Sequence, residues 1–239
     1  MAANATDEKS SRKRKRKKRK LLNASLGISR SPSPSRKQLK KVNTMANSRC
    51  QISVAVDLSF ENLMNDRDIR KTLKQVQNCY ATNRRLSAPL QLHLTSFGGK
   101  IRSQFESIEG NVKWDVHLNE KHFDQVFDKS RVLYLTSDSP NELEELTEQY
   151  VYVIGGLVDH NQHKGLCYKL AKQNGYAHAR LPIDKYVNMK TRRILAINHV
   201  FQILAKWTES RCWKSVLLQV LPERKNAKPK TEQDQPARA

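Results

Sequence analysis

Tyr150-Val151-Tyr152-Val153-Ile154-Gly155-Gly156-Leu157-Val158-Asp159 is the stretch on which the reading of the fold turns. Five aromatic or β-branched residues in a row, 150–154, carry no charge and no polar alternation. That pattern reads as a strand covered on both faces, as in a parallel sheet sandwiched by helices. The glycine pair ends the strand. It permits a close approach of the backbone to a ligand or positive φ, or it marks no more than a tight turn.

A parallel sheet requires helices between its strands, and the chain on both sides supplies them. Upstream, residues 52–56 form a β-rich run ending at Asp57, which reads as a buried strand. Residues 61–79 place Leu63, Ile69, Leu73 and Val76 at helical spacing, and 90–95 read as a second strand before Phe97-Gly98-Gly99. Residues 114–118 read as a short extended piece and 132–135 as a strand. Ser139 as N-cap with Pro140 at the first helical position predicts a helix over 141–148. Downstream, 163–174 read as a helix with Gly175 just past its end, and 177–181 as a strand stopped by Pro182. Residues 191–207 carry Ile194, Ile197, Phe201 and Leu204 on one face, predicting a long packed helix, while 216–221 fit strand or helix. The fold class is α/β, a largely parallel sheet covered by helices.

The chain carries a net charge of +21. Residues 1–49 hold sixteen basic and two acidic residues, nine of the basic ones in the unbroken run 12–20. This segment lacks the apolar periodicity of a core and reads as a disordered basic tail, suited to nuclear import, to gripping RNA or to solubility. Ser31-Pro32-Ser33-Pro34-Ser35 continues it as a linker with proline-directed phosphorylation sites. Residues 50–222 form the expected folded domain, and 223–239 a second short tail. A basic tail on a mildly basic globule predicts a polyanionic partner. Cys50, Cys79, Cys167 and Cys212 are scattered without a CxxC pair, so no zinc knuckle and no metal are expected, and reduced thiols are the simplest state. No apolar run is long enough for a membrane span, and no apolar h-region of a signal peptide follows the start.

Open α/β sheets bind ligands beyond the carboxyl ends of their strands. Three such ends stand out: Leu135-Thr136-Ser137-Asp138-Ser139, Gly155-Gly156-Leu157-Val158-Asp159 and Arg180-Leu181-Pro182-Ile183. GxGxxG and GxxxxGK[ST] are both missing, which counts against dinucleotide and P-loop nucleotide binding. Asp57 reads as a second acid near the pocket or as a cap of the next helix, and Gln75 as a base-binding or site-organising residue or as a helix-surface glutamine. Arg84, Arg85, Lys100, Arg102 and Lys164 form a plausible phosphate-reading surface, each equally readable as a solvated charge. Trp114, Trp207 and Trp213 read as core.

The run Tyr152-Val153-Ile154-Gly155-Gly156-Leu157-Val158-Asp159-His160-Asn161 resembles the tRNA guanosine-9 N1-methyltransferases of the SPOUT superfamily. Further segments match in the same order: Gln75-Val76-Gln77-Asn78-Cys79-Tyr80, Asn83-Arg84-Arg85, Leu94-Thr95-Ser96 and Tyr134-Leu135-Thr136-Ser137-Asp138-Ser139. They continue with Ala179-Arg180-Leu181-Pro182-Ile183, Leu195-Ala196-Ile197-Asn198-His199-Val200-Phe201 and Leu221-Pro222-Glu223-Arg224-Lys225. The resemblance spans residues 50–225 and is nearest the eukaryotic nuclear and cytosolic branch, so it implies nucleus and cytoplasm.

The resemblance implies a C-terminal trefoil knot, S-adenosylmethionine as cofactor, tRNA as partner and a monomer without membrane attachment. It maps the cofactor pocket onto Leu135, Gly155, Asp159, His160, Asn161, Gln162, His163, Cys167 and Leu181, and onto Arg193, Ile194, Leu195, Ala196 and Ile197. Asp159 is the first catalytic candidate, as a base for guanine N1 or as a hydrogen-bonding residue, with Gln75 the second. Residues 185–189 are where loops vary between branches. The competing readings are a non-catalytic RNA-binding or assembly factor on the same fold, and N1-methylation of adenosine.

Overall fold

The computed structural model describes residues 43–108, 110–158, 162–189, 193–222 and 227–230. Six strands form one sheet in the order β3-β2-β1-β5-β4-β6: β1 (Ser53–Asp57), β2 (Gln91–Thr95), β3 (His117–Leu118), β4 (Val132–Leu135), β5 (Val151–Gly155) and β6 (Ala177–Ala179). Every pairing is parallel. Two short strands make a separate antiparallel ribbon: β7 (Val187–Asn188), in the segment read as variable, pairs with β8 (Lys228–Pro229), in the segment read as a tail.

Alternation along the strands sorts side chains to the two faces. Val54, Val56, Tyr152 and Ile154 meet α1 (Asp66–Asn83), α6 (Ile197–Ser210) and α7 (Trp213–Val220), through Ile69, Val76, Phe201, Leu204 and Trp213. Ala55, Tyr134 and Val153 face the opposite way onto Phe123 of α3 (Phe123–Val126) and Ala171 of α4 (Leu166–Gln173). Both faces are therefore covered, which explains why β4 and β5 read as continuous apolar runs. Asn83 joins α1 to β2: its amide donates to Leu90 O at 2.8 Å and accepts from Leu90 N at 2.9 Å. Trp207 and Trp213 are buried; Trp114 is half-buried and stacks on Tyr80 at 4.4 Å between ring centroids.

Three expected elements differ. The helix after β1 begins at Asp66, because the Asn65 side chain accepts from Asp68 N and caps it there; Leu63 lies in a preceding 3-10 turn and is 43% exposed. No helix forms over 141–148. The Ser139 hydroxyl is held by His178 Nδ1 at 2.9 Å, and the backbone of Asn141 and Leu143 pairs with Arg180 as an extension beside β6. These long-range bonds outweigh a local helix start. The last long helix begins at Ile197 rather than at 191, since Ala196 is extended and Ile194 is 45% exposed. The ambiguous segment 216–221 belongs to helix α7.

Candidate active site

The strand order reverses between β1 and β5, and the carboxyl ends of β5, β4 and β6 open into a cavity of about 250 Å3. Each wall comes from a segment that leaves the sheet. Leu135 and Thr136-Ser137-Asp138 follow β4; Ile154, Gly155 and Leu157 end β5. His163, Lys164, Gly165, Leu166 and Cys167 lead into α4, with Gly165 at φ +70°. Arg180 and Leu181 follow β6; Ile183 and Asp184 belong to the short helix α5 (Ile183–Tyr186). Arg193, Ile194 and Leu195 pass along one side, and Ile197 and Val200 close it from α6.

Of the residues onto which the resemblance maps a cofactor pocket, Leu135, Gly155, His163, Cys167, Leu181, Arg193, Ile194, Leu195 and Ile197 line this one cavity. Ala196 caps α6 next to the cavity without lining it, and Gln162 is exposed outside it. Asp159, His160 and Asn161 lie outside the described residues, between the lining residues Leu157 and His163 in sequence. Gln75 reaches the site from α1: its Oε1 accepts from Ile197 N at 2.8 Å, supplying an acceptor to the first turn of α6. It organises a wall and does not line the cavity.

The glycine pair serves packing. Neither Gly155 nor Gly156 has positive φ. A Cβ on Gly156 would come within 2.5 Å of Asp57 O, the carbonyl to which Gly156 N donates at 2.7 Å. A Cβ on Gly155 would stand 2.7 Å from Cys167 Sγ and 3.3 Å from the Tyr134 hydroxyl. Glycine is required here because β1, β5 and α4 approach so closely.

Beneath that floor sits Asp57, fully buried. Its carboxylate accepts from Ser59 N at 3.1 Å and from the Tyr134 hydroxyl at 3.0 Å. Burial pushes its pKa up from the ordinary carboxylate range; the Ser59 bonds and His122, 3.9 Å away, pull it back in part. Asp57 is neither a helix cap nor a cavity residue. Burial and the neighbouring Asp57 also keep the Tyr134 phenol protonated.

Thr136, Ser137 and Asp138 lie at a strand end that the sequence marks as ligand-binding without a role for each; Asp184 and Val200 are not foreseen from it, and Lys164, expected on an RNA surface, lines the cavity. Asp184 holds Arg193 through Nε and a terminal guanidinium nitrogen, both at 2.7 Å, bracing the segment that runs past the cavity. Residence in the loop after a carboxyl-edge strand was the available signal for most of them. The remaining basic candidates are dispersed. Arg84 lies over the Tyr80 ring at 5.5 Å, Arg85 is exposed, and Lys100 is 3.5 Å from Asp66. Arg102, on α2 (Gly99–Glu106), is engaged by both Glu106 and Glu120. Among the described residues no group of three metal-ligating side chains exists, no helix is long and apolar enough to cross a membrane, and the four cysteines are free thiols.

Residues 1–226 match the family model of tRNA (guanine(9)-N(1))-methyltransferase TRM10/TRM10A. The chain is 47% identical over 180 residues to tRNA methyltransferase 10 homolog A of Bos taurus, covering 74% of this chain and 53% of that protein. It is 36% identical over 180 residues to the tRNA (guanine(9)-N1)-methyltransferase of Schizosaccharomyces pombe, covering 73% and 59%. The chain thus spans about half the length of the curated relatives it matches. The crystal structure of full-length spTrm10 in complex with SAH is 34% identical, with a TM-score of 0.67 over 77% of this chain and 98% of that one. By sequence and by fold, the chain belongs to the tRNA (guanine(9)-N(1))-methyltransferase TRM10/TRM10A family.

Proposed function

We propose that this chain is an S-adenosylmethionine-dependent methyltransferase that forms N1-methylguanosine at position 9 of tRNA. The observation that carries the reading is a carboxyl-edge cavity, built from β4, β5, β6 and α6, in a chain whose residues 1–226 match that family.

The lining suits the cofactor. Leu181, Leu195 and Val200 offer apolar surface to a flat adenine, while the carboxylates of Asp138 and Asp184 and the amine of Lys164 face a zwitterionic, positively charged molecule. S-adenosylmethionine bound there would supply a methyl group activated on a sulfonium. Leu135, Gly155, Cys167, Leu181, Arg193 and Leu195 would hold it, and Gln75 fixes the wall they share with α6. Guanine N1 carries a proton at neutral pH, and Asp159, three residues after Gly156, is the residue proposed to accept it or to orient the base. A carboxylate with pKa near ~4 is a weak base, so alignment of donor and acceptor contributes much of the acceleration. The reading extends to a trefoil knot around the cofactor loops, a monomer, residence in nucleus and cytoplasm, and residues 1–49 as a basic arm for RNA or import.

Incubation with tRNA and labelled donor, followed by mass mapping of the nucleosides, tests this. N1-methylguanosine at position 9 is expected; N1-methyladenosine there would reassign the base. Asp159→Asn should lower kcat by about 10²–10⁴ if the carboxylate acts as a base. A chain that binds tRNA but no donor would be an RNA-binding factor instead.

A further inference from the structure

The cavity wall that carries Asp184 draws little support from its own sequence. Helix α5 is four residues long, a single turn, and a single turn does not stand by itself in water. Its N-cap, Pro182, makes no side-chain capping bond, and its last carbonyls have no partner within the helix. Yet Ile183 and Asp184 line the cavity. Asp184 also grips Arg193 at 2.7 Å, so the position of Ile194 and Leu195 depends on the same turn.

The missing support comes from the segment beyond α7. Lys230 N donates to Tyr186 O, the last carbonyl of α5, at 3.0 Å. Strand β8 runs antiparallel beside β7, with Pro229 opposite Val187 and Lys228 opposite Asn188. Among the described residues no other strand pairs with β7. The ribbon is anchored from both sides: Val187 and Met189 are buried, and Ala227, just ahead of β8, packs on the core. A ribbon of two residues per strand would not persist without those anchors. The match to the family model ends at residue 226, before β8 begins.

We propose that β8 is a positioning strand for the cofactor cavity: it pairs with β7, satisfies Tyr186 O and so sets α5, which through Asp184 and Arg193 holds Ile194 and Leu195 ready for S-adenosylmethionine. The proposal rests on the cofactor reading above. Lys228, Pro229 and Lys230 do not line the cavity, so they act through the wall and not on the ligand. Their effect is on the fraction of chains in which the wall is formed, and apparent affinity falls in proportion to that fraction. Release of β8 should therefore raise KM for the donor and leave kcat at saturating donor unchanged.

The test is calorimetric binding of S-adenosylhomocysteine, with thermal melting and hydrogen exchange alongside. Lys230→Pro in the full chain removes the N–H given to Tyr186 O and should weaken binding about two- to tenfold, the worth of one net backbone hydrogen bond. Deletion of residues 227–239 removes β8 and should weaken it at least about tenfold. Deletion of 231–239 keeps β8 and should bind as the wild type does. The amides of Val187 and Asn188 should exchange faster in the first two variants, while melting falls by less than about 4 °C, since only a local element opens. Unchanged affinity in Lys230→Pro, or equal loss in the two deletions, overturns the proposal. So does a melting loss above about 10 °C in Lys230→Pro with the central strands exchanging faster, the mark of a clamp on the whole fold. A wild type that binds no S-adenosylhomocysteine overturns the cofactor reading itself.

Discussion

An alanine at position 155 would place its methyl carbon 2.7 Å from Cys167 Sγ, 3.3 Å from the Tyr134 hydroxyl and 3.6 Å from Phe60 Cε2. Ordinary carbon contacts lie near ~3.5–4 Å, so something must move. Tyr134 cannot retreat: it is fully buried and its hydroxyl is bonded to Asp57 at 3.0 Å. The strain falls on Cys167, which must turn its sulfur away or carry α4 with it. Overpacking of this kind costs about 1–3 kcal/mol. For a domain of this size each kcal/mol lowers Tm by about 2–4 °C, so Gly155→Ala should melt roughly 2–12 °C lower. Cys167→Ala removes the sulfur and leaves room for the new methyl. The double variant G155A/C167A should therefore lose less than the sum of the two single ones, with a coupling of about 1–2 kcal/mol. Melting of the four proteins by calorimetry reads the coupling directly. Because Gly155 and Cys167 both line the cavity, affinity for S-adenosylhomocysteine should fall in Gly155→Ala and recover in part in the double variant. Additivity within about 0.5 kcal/mol would refute the claim that this glycine exists to seat Cys167.

Gln75→Leu leaves Ile197 N without its acceptor and should cost about 1–2 kcal/mol while weakening cofactor-product binding; Gln75→Glu keeps an acceptor beside a helix N-terminus and should restore both. His93 stacks on His117 at 4.3 Å, and burial together with that neighbour lowers its pKa to about 4. The unfolded chain takes up this proton near pH 6.5 and the folded chain near pH 4, so stability should be lost as pH falls between these values. The loss should amount to roughly 1–3 kcal/mol, and a chemical-denaturation series should show it flattened in His93→Leu.

The sheet is legible in the sequence because its central strands are covered on both faces: 132–135 and 150–154 are uninterrupted apolar runs, 52–56 is broken only by Ser53, and 90–95 alternates apolar Leu90, Leu92 and Leu94 with polar residues. The cavity follows from the same reading, since the loops after those strands must gather at one edge. What stayed hidden depends on contacts across long separations. Ser139-Pro140 reads locally as a helix start, yet His178 and Arg180, some forty residues on, take its hydroxyl and the neighbouring backbone. Nothing near position 197 announces that its amide is taken by Gln75, 122 residues away. Asp184 enters the site only because β6 lies beside β4, a neighbour that no local pattern specifies.

Asp57 is the sharpest case of a residue whose type is visible and whose situation is not. Its carboxyl is fully buried, with Ser59 N on one oxygen and the Tyr134 hydroxyl on the other. Burial raises its pKa above the ordinary carboxylate value, so folding shifts this group toward its protonated form relative to the unfolded chain. The stability this group contributes is present below the unfolded pKa and is lost as pH rises through the folded one. Asparagine avoids that loss. Its carbonyl can accept from Ser59 N while its amide donates to the Tyr134 oxygen, whose own proton then turns to the neighbouring Cys167 sulfur. Asp57→Asn should therefore gain stability relative to the wild type as pH rises above the ordinary carboxylate range. Packing alone has no use for the acid, because the neutral amide fills the same space. Asp57→Asn should therefore melt higher than the wild type at neutral pH, and because the amide keeps a bond to both Ser59 N and Tyr134 it should leave S-adenosylhomocysteine binding nearly unchanged. A stability difference between variant and wild type that does not change with pH would show that Asp57 carries the same protonation state folded and unfolded, so that burial does not raise its pKa.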